Sequence, residues 1–231
     1  MAKWTSGETM TPGKGNPFKL RVRTGTDVSP EMTNQITTTV SAARIAVEWT
    51  VGKLSALNAL EPYTKACLTR AFNTPAGGPD QATFELIKTK YVKIQNGIAD
   101  ADLAVKVGPL NDANGSVAFY PNPGPNKLPA LEWDTDTSSW APGGYGQIKI
   151  DFDYLKKRSH ETKFYRPVKT FIHEASHRFA STADFYYYTE KSGWEAEDGP
   201  AFQGTPDLEW LKDNADSYGW FAVWLYYFAT V

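Results

Sequence analysis

The chain has 231 residues, of which 41% are hydrophobic and 22% charged, and its formal net charge is −2. This composition is typical of a globular protein with one well-buried core. Because there is no excess of Lys and Arg, we expect neither nucleic acid nor an anionic membrane as a partner. The most apolar segment, residues 220–231, is too short to span a bilayer.

The first part of the chain predicts an N-terminal arm or hairpin and then a helical region. Residues 1–28 are rich in Gly, Thr, Lys and Pro, and residues 18–22 have the pattern of a strand. Ser29 begins a helix, since a capping residue is followed by a first-turn proline and an acid. Across residues 29–104, apolar residues at helical spacing predict three helices: one from Ser29 to about residue 54, one over 62–72 and one ending near residue 100.

Residues 105–231 predict a mixed region with short strands and two helices. Between residues 108 and 146 the composition shifts to Pro, Gly, Asn and Asp, with one short strand at 117–120. Residues 148–152 alternate like a half-buried strand, which we expect at the edge of a sheet. With no internal repeat and no low-complexity linker, residues 1–231 are predicted to form a single domain.

A metal-binding motif lies on a strongly predicted helix between residues 162 and 182. His173, Glu174 and His177 form the pattern HEASH, and two histidines four residues apart lie on one helix face. Such a pair can hold one zinc ion, and the intervening glutamate can take a proton from water activated by the metal. An apolar stripe on the neighbouring face predicts how the helix packs; it consists of Val168, Phe171, Ile172, Ala175 and Phe179.

A catalytic zinc ion usually has three protein ligands, and here the third is expected to be a carboxylate. The remaining histidine, His160, lies upstream in a polar run and is expected to be solvated. The segment around Glu190 and Glu195 contains glycines and a proline, which disfavours a second ligand-bearing helix. The downstream candidates are Asp184, Glu190, Glu195, Glu197, Asp207, Asp213 and Asp216.

Two further segments resemble the aspzincins, the deuterolysin and peptidyl-Lys metalloendopeptidase family. Residues 181–188, Ser-Thr-Ala-Asp-Phe-Tyr-Tyr-Tyr, are similar to the family motif Gly-Thr-x-Asp-x-x-Tyr-Gly. Residues 214–218 resemble the Asn-Ala-Asp segment of the peptidyl-Lys branch. The resemblance implies an α+β zincin-like fold, mostly helical, with a small twisted sheet and an edge strand beside the zinc cleft.

The resemblance also implies roles for individual residues. Asp184 would be the third ligand of one zinc ion, and Tyr187 would stabilise the oxyanion that forms on the substrate carbonyl. Ser181 and Tyr188 stand where the family has glycines, so the turn that carries Asp184 is expected to differ. Family members are usually secreted, which implies an extracellular or otherwise exported protein, although residues 1–5 do not look like a signal peptide.

Substrate preference follows from the second segment of the resemblance. In the lysine-specific relatives, an aspartate matching Asp216 and a glutamate three residues later line the pocket for the residue after the scissile bond. Here the second position is Gly219, which removes one charge and would open space. We therefore expect a tolerant preference for Lys or Arg, with Asp216 as a buried structural acid as the alternative.

A second Gly-Thr-x-Asp sequence occurs at residues 204–207 but is followed by Trp210 where the motif has tyrosine. It is more typical of a helix start, with Thr205 as the cap and Pro206 in the first turn. The last helix is then expected over residues 206–229. Its inward-facing residues are predicted to be Trp210, Leu211, Phe221, Leu225 and Phe228.

Taken together, the residues predict a monomeric zinc endopeptidase that acts on protein or peptide substrates. One alternative is a zinc amidase that cleaves peptidoglycan cross-links, since zinc-assisted hydrolysis serves any amide. Another is a toxin or interaction module with a non-catalytic metal site. Glu174 favours the enzymes, because a structural site needs no general base.

Overall fold

A computed structural model of the protein describes residues 8–22, 29–100, 103–107, 118–119, 131–134, 139–142, 147–150, 164–196 and 206–228. Its helices are α1 (Pro30–Lys53), α2 (Pro62–Phe72), α3 (Gln81–Ala99), α4 (Tyr165–Ala180), α5 (Leu208–Leu211) and α6 (Ala215–Tyr227). Its strands are β1 (Glu8–Met10), β2 (Phe18–Val22), β3 (Ala104–Val107), β4 (Ala118–Phe119), β5 (Leu131–Asp134), β6 (Ser139–Pro142), β7 (Gln147–Ile150), β8 (Tyr186–Thr189) and β9 (Gly193–Ala196). The mixture of helices and small sheets confirms the predicted α+β class. Within the described residues, no helix is both long and apolar enough to cross a membrane.

The three predicted N-terminal helices are confirmed, and side-chain caps mark where α1 and α3 begin. The Ser29 hydroxyl accepts a hydrogen bond from the Met32 amide at 3.1 Å, as expected of an N-cap. Asp80 caps α3 in the same way, accepting from the Thr83 amide at 2.8 Å. Asn73 ends α2 in the left-handed conformation that a short polar side chain tolerates.

A five-stranded sheet has the order β1-β2-β3-β7-β4, and its first two strands form the predicted N-terminal hairpin. Strands β2, β3 and β7 are parallel, with Leu20 opposite Val105 and Val105 opposite Ile148. The predicted position of β7 at the edge is wrong, because β4 pairs with it antiparallel and takes the edge. Strand β4 lies within the predicted strand 117–120, and it contacts α4, the helix that carries the HEASH motif.

Helix α4 lies at the centre of the fold and packs on α1, α3 and α6. Its predicted apolar stripe is confirmed at four positions with no exposed side-chain surface: Val168, Phe171, Ile172 and Ala175. Phe179 is only half-buried. This packing fixes the rotation of α4 about its axis and so determines where the neighbouring histidine face points.

The predicted C-terminal helix is wrong in its continuity and in its start. The chain turns at residues 212–214 and separates α5 from α6. At this point the Asp213 carbonyl oxygen accepts from the Ala183 amide, and the Ala215 amide donates to the Ala183 carbonyl oxygen. Asp207, rather than Thr205, is the N-cap of α5, and Thr205 itself lies outside the described residues. Trp210, predicted to pack inward, is 51% exposed, whereas Leu211 is buried.

Several elements have no counterpart in the sequence-based prediction. Strand β3 crosses the predicted boundary between the helical part and the mixed part at residues 104 and 105, and its four residues are all buried, without the alternation of a half-buried strand. The hairpins β5–β6 and β8–β9 were also not predicted. Residues 151 and 152 of the predicted strand, and His160, lie outside the described residues.

Candidate metal centre and active site

His173 and His177 lie one turn apart on α4, and both are buried. Their ring centroids are 4.8 Å apart, and the two Nε2 atoms are separated by 3.1 Å. The predicted pairing of these two side chains on one helix face is therefore what the structure shows.

The loop after α4 carries Asp184 to the same point. The Asp184 Oδ1 atom lies 3.1 Å from His173 Nε2, and its Oδ2 atom lies 3.3 Å from His177 Nε2. Among the described residues, these three side chains form a group whose potential ligand atoms all lie within 4.8 Å of one another.

Hydrogen bonds on the far side of each ring define which nitrogen carries the hydrogen. His177 Nδ1 lies 2.9 Å from the Thr182 carbonyl oxygen, which can only accept, so Nδ1 must donate. His173 Nδ1 lies 3.0 Å from Asp216 Oδ1, which places a donor there as well. In the neutral rings both Nε2 atoms then carry a lone pair directed at the common point, as metal-ligating histidines require.

The spacing of these atoms fits a zinc ion. Ligands held at 2.0–2.1 Å in tetrahedral geometry are separated by about 3.3–3.5 Å. The observed separations of 3.1–3.3 Å between neighbouring ligand atoms are close to that range. Two imidazoles and one carboxylate are also a donor set that zinc accepts readily.

The electrostatics of the cluster favour a positive charge at its centre. Burial lowers the pKa of His173, but hydrogen bonds with Asp184 and Asp216 outweigh this and raise it to about 10. Burial raises the pKa of Asp184, but hydrogen bonds with the two histidines outweigh it and hold the pKa well below its usual range. A dication among these groups would replace that proton and interact with the same carboxylates.

Glu174 lies beside the metal-ligand cluster, with its Oε1 atom 3.7 Å from His173 Nε2. Burial raises its pKa to about 7, although the charges of His173 and His177 lower it. A bound dication would lower this pKa further. The carboxyl group is therefore placed where a general base would need to be.

Tyr187 is the tyrosine of β8 that lies against the metal-ligand cluster. Its ring is nearly parallel to that of His173, at 17°, with the centroids 6.1 Å apart. The neighbouring Tyr188 points the other way and packs on the rings of Trp194, Trp220 and Trp224. Because side chains alternate along a strand, Tyr186 also lies on the face opposite Tyr187.

The predicted role of Asp216 in a substrate pocket does not fit its surroundings. The side chain has no exposed surface. Its Oδ1 atom contacts His173 Nδ1 and Lys169 Nζ, and its Oδ2 atom accepts from the Tyr188 amide at 2.8 Å. The alternative of a buried structural acid describes it better, and the preference for Lys or Arg loses its structural basis.

The space expected at Gly219 is absent as well. A Cβ atom at this position would lie 2.8 Å from the Lys169 carbonyl oxygen and 3.4 Å from His173 Cβ. Gly219 is therefore where the backbones of α4 and α6 approach closely, rather than an opening for a substrate side chain.

Two residues at the candidate site were missed by the sequence analysis. Lys169 lies one turn before His173, and its ammonium group forms an ion pair with Asp216. Asn214 has no exposed surface and accepts hydrogen bonds from the amides of Phe185 and Tyr186, both at 3.0 Å, in the loop after Asp184. The resemblance at residues 214–218 was the available signal, but it pointed to substrate binding rather than to these contacts.

Most other acids considered as third ligands are engaged elsewhere. Glu190 pairs with Arg166, Glu195 accepts from the Ser192 hydroxyl, and Asp213 pairs with Lys90. Asp207 is the N-cap residue of α5, although its side chain accepts no capping hydrogen bond, and Glu197 lies outside the described residues. The observed geometry therefore favours Asp184.

The turn that carries Asp184 depends on an unusual backbone conformation at Ser181. This exposed residue ends α4 with a φ of 52° and a ψ of 48°, in the left-handed region that favours glycine. We expect Ser181→Gly to raise the free energy of unfolding by about 0.5 kcal/mol, because relief of the strain exceeds the added entropy of the unfolded chain. Ser181→Val should lower it by more than about 1 kcal/mol, and urea unfolding of both variants measures the difference. Equal stability of the two variants would contradict this conformation.

The fold and the cluster together define an α+β protein with a candidate metal site made by one helix and the loop that follows it. No protein-family model matches the sequence, and no curated protein matches it significantly. Among solved structures, the chain is similar to a zinc peptidase from Grifola frondosa, with a TM-score of 0.55 and 19% sequence identity. The match covers 85% of this chain and 97% of the other, so the two proteins share a fold over most of their lengths.

Proposed function

We propose that the protein is a zinc-dependent endopeptidase. The observation that carries the proposal is the convergence of His173 Nε2, His177 Nε2 and the Asp184 carboxylate on one point, with Glu174 beside it. The structural similarity to a zinc peptidase supports the same class of activity.

In the proposed mechanism, His173, His177 and Asp184 would hold one zinc ion. Zinc at this position would polarise the scissile carbonyl group and make water a stronger nucleophile. Glu174 takes the proton from the attacking water and passes it to the leaving amine. The Tyr187 hydroxyl donates a hydrogen bond to the oxyanion of the tetrahedral intermediate, which is consistent with its place beside His173.

We propose no preference for Lys or Arg after the scissile bond, because Asp216 is already paired with Lys169. The substrates are proteins or peptides, and action outside the producing cell is proposed on the family resemblance. A single chain suffices for the cluster, since one chain supplies His173, His177 and Asp184.

Digestion of an unfolded mixed-sequence protein tests the proposed activity. We expect cleavage that stops when a chelator removes the metal and resumes when zinc is added back, because the metal supplies most of the activation of water. Mass spectrometry of the products gives every cleaved bond. Cleavage that persists in the presence of the chelator would contradict the proposal. Cleavage of peptidoglycan cross-links but not of protein would instead identify the activity as that of an amidase.

A further inference from the structure

We propose that Lys169 is a positioning residue that holds Asp216 against His173 and thereby increases the affinity of the site for its metal. The inference depends on the proposed function only in taking zinc as the metal. Lys169 is not expected to contact the metal or the substrate, since its ammonium group is directed at Asp216.

The starting point is a carboxylate with no access to water. Asp216 has no exposed surface, and burying such an ion without compensation is costly. Three groups compensate the charge of Asp216: the ammonium group of Lys169, the Nδ1–H of His173 and the backbone amide of Tyr188. Lys169 is itself mostly buried, with 16% of its side chain exposed, so water screens this ion pair only weakly.

Helix geometry explains why one lysine can act on one histidine. Lys169 and His173 are four residues apart on α4, so both side chains face the same part of α6. Asp216, near the start of α6, lies between them and contacts both with the same oxygen atom, Oδ1. A shift of the carboxylate away from Lys169 therefore also changes its hydrogen bond with His173.

Close packing of the two helices makes this arrangement possible. A Cβ atom at Gly219 would lie 2.8 Å from the Lys169 carbonyl oxygen and 3.3 Å from its Cγ atom. Contacts under 3.0 Å with backbone force a displacement, so a larger residue would push α6 away from α4. Gly219 thus lets Asp216 reach both partners.

The consequence for the metal follows from the second nitrogen of His173. Its Nδ1–H donates to Asp216, which fixes the ring orientation and leaves Nε2 aimed at the ligand cluster. In metal sites, loss of such an outer hydrogen-bond partner typically lowers metal affinity about 10- to 100-fold. Lys169 acts one step further out, through the position of Asp216.

The test is the zinc affinity of the full-length protein, measured by competition with a chromophoric chelator. Lys169→Met is expected to weaken zinc binding about 10-fold, the lower end of the range for a direct outer partner, and Lys169→Arg to restore part of the affinity because it keeps the charge. Lys53→Met is the matched control, since Lys53, at the end of α1, forms an ion pair with Glu61 just before α2 and should leave the affinity unchanged. The absorption spectrum of the cobalt-substituted protein should change in Lys169→Met and not in Lys53→Met.

A double variant separates positioning from simple loss of folding. Lys169→Met combined with Asp216→Asn leaves no uncompensated buried charge, so its fold should be maintained while zinc affinity stays low. Gly219→Ala should also weaken zinc binding, whereas Gly52→Ala, where an added Cβ meets nothing within 4 Å, should not.

Wild-type zinc affinity in folded Lys169→Met, or in the double variant, would overturn the inference. Failure of Lys169→Arg to restore affinity would do the same. These outcomes are independent of the peptidase proposal, because they are read from metal binding. A protein that shows them as expected but cleaves no peptide would retain the role of Lys169 and lose the proposed activity.

Discussion

Replacing Glu174 with Gln is expected to lower the rate of peptide hydrolysis by about 100- to 10,000-fold, the usual contribution of a general acid–base residue. Zinc affinity should stay within a few-fold of the wild-type value, because His173, His177 and Asp184 are unchanged. Gln has the shape of Glu but cannot accept the proton of the attacking water. The rate is measured on a peptide cleaved by the wild-type protein, and the bound zinc by metal analysis.

Glu209→Gln is a suitable control, since this glutamate is 77% exposed and pairs only with Lys212 among the contacts that the structure describes. It should change neither rate nor zinc content. Unaltered hydrolysis in a zinc-loaded Glu174→Gln protein would remove the general base from the mechanism. Loss of both zinc and rate would instead mean that Glu174 supports the metal site.

The parts of the fold predicted correctly are those encoded by residues close together in the chain. Ser29 caps α1 through a residue three positions away, and the stripe of α4 recurs every three or four residues. The pairing of His173 and His177 is local in the same sense, since a helix turn alone brings them together. Such patterns can be recognised without knowledge of the tertiary structure.

The parts predicted wrongly depend on contacts between distant segments. Strand β7 has the alternation of an edge strand, but β4, about thirty residues earlier, pairs with it. The break before α6 arises because the backbone groups of residues 213 and 215 bond to Ala183 rather than continuing the helix. Neither event leaves a periodic signal in the sequence.

Asp216 shows the same limit at the level of chemistry. The sequence shows that Asp216 lies in a segment similar to one of a peptidase family. Whether its side chain contacts substrate or other protein side chains depends on how α6 packs on α4. Because α4 and α6 approach closely at Gly219 and Lys169 forms an ion pair with Asp216, the carboxylate faces the protein interior rather than substrate. Gly219 and Lys169 are fifty residues apart, so the sequence alone does not predict that they lie together.

Asn214 is expected to be the residue outside the ligand set on which the candidate site depends most. It lies just before α6, and its side chain links that point to the loop after Asp184. Its Oδ1 atom accepts from the Phe185 and Tyr186 amides, and its Nδ2 atom donates to the Tyr186 carbonyl oxygen at 2.9 Å. One buried side chain thus satisfies three backbone groups next to a predicted zinc ligand.

Asn214→Ala should lower the free energy of unfolding by about 3–4 kcal/mol, because each buried backbone group left without a partner costs about 1–3 kcal/mol and water relieves part of it. Zinc affinity should fall as well, since the loop would no longer hold Asp184 near the histidines. Urea unfolding and chelator competition measure the two effects. Asn34→Ala, at an exposed position of α1, should be neutral or slightly stabilising in the same assays.

Asn214→Asp separates the contribution of the accepting Oδ1 atom from that of the donating Nδ2 atom. The carboxylate can still accept from the amides of Phe185 and Tyr186, but it cannot donate to the Tyr186 carbonyl oxygen and would face it with like partial charge. We therefore expect Asn214→Asp to be destabilised by at least about 1 kcal/mol at neutral pH. If both variants unfold and bind zinc like the wild-type protein, the loop is held by its backbone bonds to residues 213 and 215 alone, and the side chain of Asn214 has no part in placing Asp184.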